Sequence, residues 1–97
     1  MINSRQRAQL RAMANGLDSV IHVGKTGLTN NITMQLDGVL TARELIKGTV
    51  QDNSPITARE AAIALAEKTN ADIVQVIGRR FVLYRRNDEK PVIELCE

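Results

Sequence analysis

Between a short apolar run and a helix start lies Gly24-Lys25-Thr26-Gly27, the stretch of this chain best suited to chemistry. Two glycines permit positive φ and carry no Cβ to block a ligand, so backbone N–H groups can face an incoming phosphate. A following helix turns its free N–H groups and the positive end of its dipole toward the same space. Lys25 adds a full charge at the tip and Thr26 a hydroxyl donor. Such a loop can clamp a nucleic-acid backbone, as the GXXG loops of KH domains clamp RNA. The competing reading is a tight strand-to-helix turn with an incidental lysine. A nucleoside-triphosphate loop is excluded, because that motif needs a glycine five positions before Gly24, where Ser19 stands.

Other candidates are weaker. Basic side chains cluster as Arg7 and Arg11, as Lys25, and as Arg79-Arg80 with Arg85-Arg86 on either side of an apolar run. His22, inside a short apolar stretch, reads as a packed, hydrogen-bonded residue, with no orienting carboxylate or nucleophile beside it in sequence. Cys96 lies between Glu94 and Glu97, which disfavour a thiolate. Asp88-Glu89 belongs to a solvated, turn-like run, and the Asn31-Ile32-Thr33 sequon falls within a helix. One cysteine and one histidine exclude a zinc site built from this chain alone. No enzyme, metal or cofactor is expected, and phosphate-ligand binding or hydrolysis is a remote third reading.

The elements that must position these groups follow from periodicity. Ser4 is expected to cap a first helix running to about Asn15, with Leu10, Met13, Ala14 and Leu17 as its apolar stripe and Asn15-Gly16 as its stop. Arg7 and Arg11 stand one turn apart beside that stripe. Val20–Val23 reads as a buried strand, and Thr29 or Asn30 caps a second helix built on Ile32, Leu36, Val39 and Leu40. Gly38 within that helix suggests close packing. Leu45–Val50 is a second strand, weakened by Gly48. Thr57-Ala58-Arg59-Glu60 is a capping box opening an alanine-rich third helix that ends near Thr69-Asn70. Asp72–Ile77 and Arg80–Arg85 are two more strands, joined by a Gly78-Arg79 hairpin turn. Pro91–Leu95 offers a short edge strand. The expected fold is a single α/β domain, α-β-α-β-α-β-β, with a mixed four-stranded sheet and packed helices.

Composition agrees with one domain. The chain has 97 residues, 43% hydrophobic and 25% charged, with no apolar run long enough to span a bilayer. Met1–Arg7 has no apolar segment of a secretory signal behind it, and a reduced, cytoplasmic, monomeric protein without membrane contact is expected. Net charge is +2, but residues 1–87 carry twelve Lys/Arg against seven Asp/Glu, while the last ten carry four acids against Lys90. A basic body with an acidic tail suits a polyanion ligand, although scattered solubility charge gives the same sum. Only two of the residues are Phe, Tyr or Trp, namely Phe81 and Tyr84. That is too few for base stacking, so a nucleic-acid ligand would be held by its backbone and shape.

Several stretches together resemble the CRM domain family (chloroplast RNA splicing and ribosome maturation), specifically its single-domain bacterial YhbY-type members. They are Arg7-Ala8-Gln9-Leu10-Arg11, Val23–Thr29 around the glycine loop, Glu44-Leu45-Ile46-Lys47, Leu65–Ala71, Val74–Arg79 and Val82–Arg86. The likeness covers about residues 4–87, with the acidic tail 88–97 beyond it. Asn15 stands where the family often has histidine, Asp18-Ser19 where a proline context is usual, and Asn70 where glycine is common.

The resemblance implies a fold similar to the C-terminal domain of translation initiation factor 3. It also implies an RNA-binding surface made of Gly24, Lys25, Thr26 and Gly27 with Arg7, Arg11, Arg79 and Arg80. The implied partners are ribosomal RNA and precursors of the large ribosomal subunit, without DNA, and the implied role is assembly. An adaptor that docks a ribosomal or assembly protein and touches RNA only incidentally is the alternative; it predicts an exposed apolar patch on the tail strand.

Overall fold

The computed structural model describes residues 2–96. Three helices and four strands alternate as α1 (Ser4–Ala14), β1 (Ser19–Val23), α2 (Asn30–Arg43), β2 (Leu45–Val50), α3 (Ala58–Thr69), β3 (Asp72–Ile77) and β4 (Arg80–Tyr84). The sheet order is β1-β2-β4-β3. β1 runs parallel to β2, whereas β4 is antiparallel to both β2 and β3 and lies between them. The mixed sheet expected from the sequence is therefore present. Its last strand is inserted at the centre, leaving β1 and β3 as edges.

Both faces of the sheet are covered, unequally. Ile21, Val23, Ile46, Val50, Phe81 and Leu83 face Leu36 and Leu40 of α2 and the buried alanines of α3. Ala58, Ala61, Ala62 and Ala66 all lie in this layer, so their small side chains set α3 close to the strands. On the other face Leu10 and Ala14 of α1 pack on Leu45, Val74, Val82 and Tyr84. Central strand β4 is consequently apolar on both faces, Phe81 and Leu83 one way and Val82 and Tyr84 the other.

The chain punctuation explains the boundaries. Asn3, not Ser4, caps α1: its Oδ1 accepts from Gln6 N–H at 2.8 Å while Gln6 Oε1 accepts from Asn3 N–H at 3.0 Å. A reciprocal box on Gln6 outcompetes a serine one residue later, which becomes the first helical residue. The C-cap residue Asn15 keeps right-handed backbone angles, and Met13 is exposed rather than buried. Thr29 caps α2 and Thr57 opens α3 with the expected box to Glu60. Asn70 ends α3 at φ 59°, the left-handed conformation that asparagine tolerates. Of the Gly78-Arg79 turn only Gly78 has positive φ, 57°.

One glycine expectation is reversed, and another glycine takes its role. Gly38 is exposed, with no atom within 4 Å of where a Cβ would stand, so packing does not explain it. Gly48 is the packing glycine: a Cβ there would clash with the tip of the ring of Phe81, its partner on β4. The residue that weakens β2 by propensity is what lets the Phe81 ring reach across it.

The tail departs from expectation as well. Residues 91–95 form no edge strand. Side chains hold this segment instead. Glu44, fully buried at the end of α2 with φ 65°, accepts at Oε2 from Asn87 N–H and at Oε1 from Val92 and Ile93 N–H, at 2.6–2.7 Å. Gln9 of α1 donates to Glu94 O and accepts from Cys96 N–H, and Gln6 donates to Cys96 O. Ile93 and Leu95 pack against the core beneath α1. Proline removes a ladder donor at position 91, and polar side chains offer the rest of the tail a substitute for strand pairing.

Candidate nucleic-acid interface

Gly24–Gly27 leaves the end of β1 as a β-turn closed by Gly27 N–H donating to Gly24 O at 3.0 Å. The two glycines have different duties. Gly27 adopts φ 69°, and a Cβ on it would come 3.3 Å from Pro55. Gly24 lacks positive φ but lies against the Gln51 side chain, 3.1 Å from where its Cβ would stand. The turn's own bond uses the Gly27 amide, so the donors it can turn outward are those of Lys25 and Thr26, both exposed at its tip. Thr29 then caps α2 by accepting from Ile32 N–H at 3.2 Å, and the first turn of α2 holds no acidic residue. Its first amides have no intrahelical acceptor, and the dipole adds positive potential beside Lys25.

The β3–β4 hairpin comes to the same end of the sheet. Gln51 N–H donates to Val23 O at 2.8 Å and Val50 N–H to Arg79 O at 2.7 Å, tying the ends of β1, β2 and the hairpin side by side. Arg79 is ion-paired with Asp52 in the loop between them. Arg80 is exposed and opens β4. The structure therefore brings together Gly24, Lys25, Thr26, Gly27, Arg79 and Arg80.

A further set, apart from Arg80, was not singled out from the sequence as part of an interface. The strand register places His22, Thr49, Arg80 and Ile77 in one row across all four strands. Their neighbours Val23, Val50 and Phe81 point into the α2–α3 core, so this row points to the opposite face. That is the face α1 covers, but α1 sits over Leu45, Val82 and Tyr84 and leaves the row open. Lys47, two residues from Thr49 on β2, shares the face and is half-buried. Alternation in Leu45–Val50 was the available signal, since it puts Lys47 and Thr49 on one side. His22 is exposed here, which corrects the packed histidine expected from its apolar neighbours. β1 is an edge strand beyond the reach of α1.

Arg7 and Arg11 are exposed on α1, on the half of the sheet away from the glycine turn, so they do not join it directly. Arg7 borders a groove of about 690 Å³ that runs along β3 beside Arg59, Ile63 and Val76. Arg85 and Arg86 lie at the far end of β4 from Arg79-Arg80 and do not extend that cluster. The Arg85 guanidinium is committed to Asp37 Oδ1 and O, Thr41 Oγ1 and Thr69 O, bracing α2 against the end of α3. Arg86 pairs with Asp88 at 3.2 Å. Among the described residues no group of three or more His, Cys, Asp and Glu could hold a metal, and no helix is long and apolar enough to cross a membrane.

A family model of the CRS1/YhbY (CRM) domain matches residues 2–85. The chain belongs to the CRM domain family. The match ends where β4 gives way to the side-chain-held tail. The probable RNA-binding protein YqeI of Bacillus subtilis is 37% identical over 95 residues, covering 98% of this chain and 99% of that protein. An RNA-binding protein of Haemophilus influenzae is 31% identical, covering 94% and 92%. The solution structure of a Staphylococcus aureus protein, itself described as a candidate RNA binder, superposes with a TM-score of 0.82 at 38% identity over 99% of this chain and all of that one. The order and sheet of this CRM domain are thus those of a solved relative.

Proposed function

We propose that this CRM domain binds RNA without catalysing a reaction on it, and that its ligand is ribosomal RNA in cytoplasmic precursors of the large ribosomal subunit. The observation that carries the reading is the convergence of the Gly24–Gly27 turn, the start of α2 and Arg80 at one end of the sheet, with Lys47 on the open face that Arg80 shares. Relatives named as RNA-binding proteins support it. Amides, a helix dipole and cations are groups that hold phosphates. Arg7 and Arg11 would add phosphate contacts only for an RNA long enough to reach α1. The domain acts as a monomer in this reading.

The test is binding to a large-subunit rRNA fragment across a salt series, wild type beside Lys25→Glu. Log affinity should fall with log salt by about 0.7 per phosphate contact on a single strand and about 0.9 on a duplex. The variant should bind more weakly with a shallower slope. A flat slope, or equal affinity in the variant, overturns the assignment.

One observation favours a second reading. Val76 and Ile77 on edge strand β3 and Ile63 on α3 are exposed. They suit an adaptor docking a protein through this edge rather than through the tail. Lys25→Glu would then leave recruitment to pre-ribosomal particles intact, which sedimentation on a gradient reads directly.

A further inference from the structure

Whether an RNA surface takes paired or unpaired strands depends on what it offers to bases. RRM-type and single-strand-binding modules that read unpaired RNA stack two or three splayed bases on exposed rings, whereas a GXXG loop clamps backbone alone. The only Phe and Tyr of this chain are both withdrawn from such use. Phe81 is fully buried against Gly48 on the α2–α3 side, and Tyr84 is 3% exposed under α1 and the tail. One imidazole, His22, is the ring left on the open half-sheet, at its β1 edge. Around it stand Thr49, Lys47 and Arg80, groups that bond phosphates and ribose hydroxyls rather than stack several bases.

The spacing of these groups also matters. Lys25 extends from β1, and Arg80 opens β4, two strands across. Neighbouring strands are about 4.8 Å apart, so the two backbones are separated by about 10 Å across the sheet. A single strand can also cross that width, but only by giving up conformational freedom on docking. A duplex presents phosphates of two strands on either side of a wide, shallow minor groove lined with 2′-hydroxyls, already fixed in place.

We infer that the ligand of this surface is an A-form RNA duplex, one strand's phosphates resting on the Gly24–Gly27 turn and the other's on Arg80, with Lys47 and Thr49 of the intervening strand β2 facing the groove between them. The inference rests on the RNA-binding reading above and adds the structural class of the RNA.

The experiment is fluorescence anisotropy with a labelled RNA duplex of about 16 base pairs, the span that double-strand-binding domains cover. Each of its strands alone and the DNA duplex of the same sequence serve as comparators. The RNA duplex should bind at least about tenfold more tightly than either strand, because a flexible strand loses conformational freedom on docking. It should also outbind the DNA duplex. Lys25→Glu and Arg80→Glu should each weaken the duplex. An unpaired strand that binds as tightly and is lost in Lys25→Glu overturns the duplex inference and leaves RNA binding standing. Equal binding of the DNA duplex removes the A-form assignment. If none of the RNAs binds, both readings fall.

Discussion

Glu44 Oε1 accepts the backbone N–H of Ile93 at 2.7 Å, joining the end of α2 to a residue 49 positions later in the chain. The same oxygen accepts from Val92 and the other from Asn87. A non-glycine residue at φ 65° is strained by about 1–3 kcal/mol, and the three charge-assisted bonds offset that cost.

The tail should therefore respond to acid. Burial alone raises the Glu44 pKa, but the amides of Asn87, Ile93 and Val92, with Arg86 nearby, outweigh it and hold the carboxyl below its ordinary 4.5. A depressed folded pKa means that the stabilisation is complete above the unfolded value and is lost as pH falls through the folded one. Melting temperature and the dispersed amide signals of Val92 and Ile93 should decline below about pH 4.5. Glu44→Gln should destabilise by about 1–3 kcal/mol at neutral pH and flatten that acid dependence. An unchanged acid profile in the variant would show that another carboxyl controls it.

Gly48→Ala should destabilise the whole domain. The new methyl meets the Phe81 ring within the sheet, and forced overpacking costs about 1–3 kcal/mol. Gly38→Ala, in open space on α2, should stabilise by up to about 1 kcal/mol through helix propensity. Thermal melts of the two variants should move in opposite directions.

Arg85→Ala should lower stability and leave the RNA affinity of the folded fraction unchanged, since its guanidinium is spent on Asp37, Thr41 and Thr69. Arg85→Lys should not rescue it, because an ammonium cannot reproduce the planar fork that meets three partners. A loss of affinity at unchanged stability would return Arg85 to the binding surface.

Asp52→Asn should strengthen RNA binding by releasing Arg79 from its ion pair while leaving the melting temperature nearly unchanged, both side chains being largely exposed. Weaker binding would mean that Asp52 positions Arg79 for its contact. Lys25→Glu is a cleaner probe of the turn than an acidic substitution at Gly27 would be. Lys25 is exposed, whereas Gly27 sits at φ 69° against Pro55, where any side chain strains the turn it is meant to test.

Local signals in the sequence determined the elements and the glycine turn. Hydrophobic period, the Thr57–Glu60 box, the Gly78 turn and the Asn70 stop act within a few residues, so β2 and β3 begin and end where the residues said they should. Only the tertiary structure decided how those elements share space. Insertion of β4 between β2 and β3 placed Arg80 in a row with His22 and Thr49, drew Phe81 over Gly48 and sent Arg85 to the opposite end of the sheet. It also left Arg7 and Arg11 on the other half, and it replaced an edge strand with bonds from Glu44, Gln6 and Gln9. These outcomes depend on pairings 30 to 90 residues apart, set by which surfaces bury each other best. Local periodicity assigns a residue to a face of its strand but not to a neighbour.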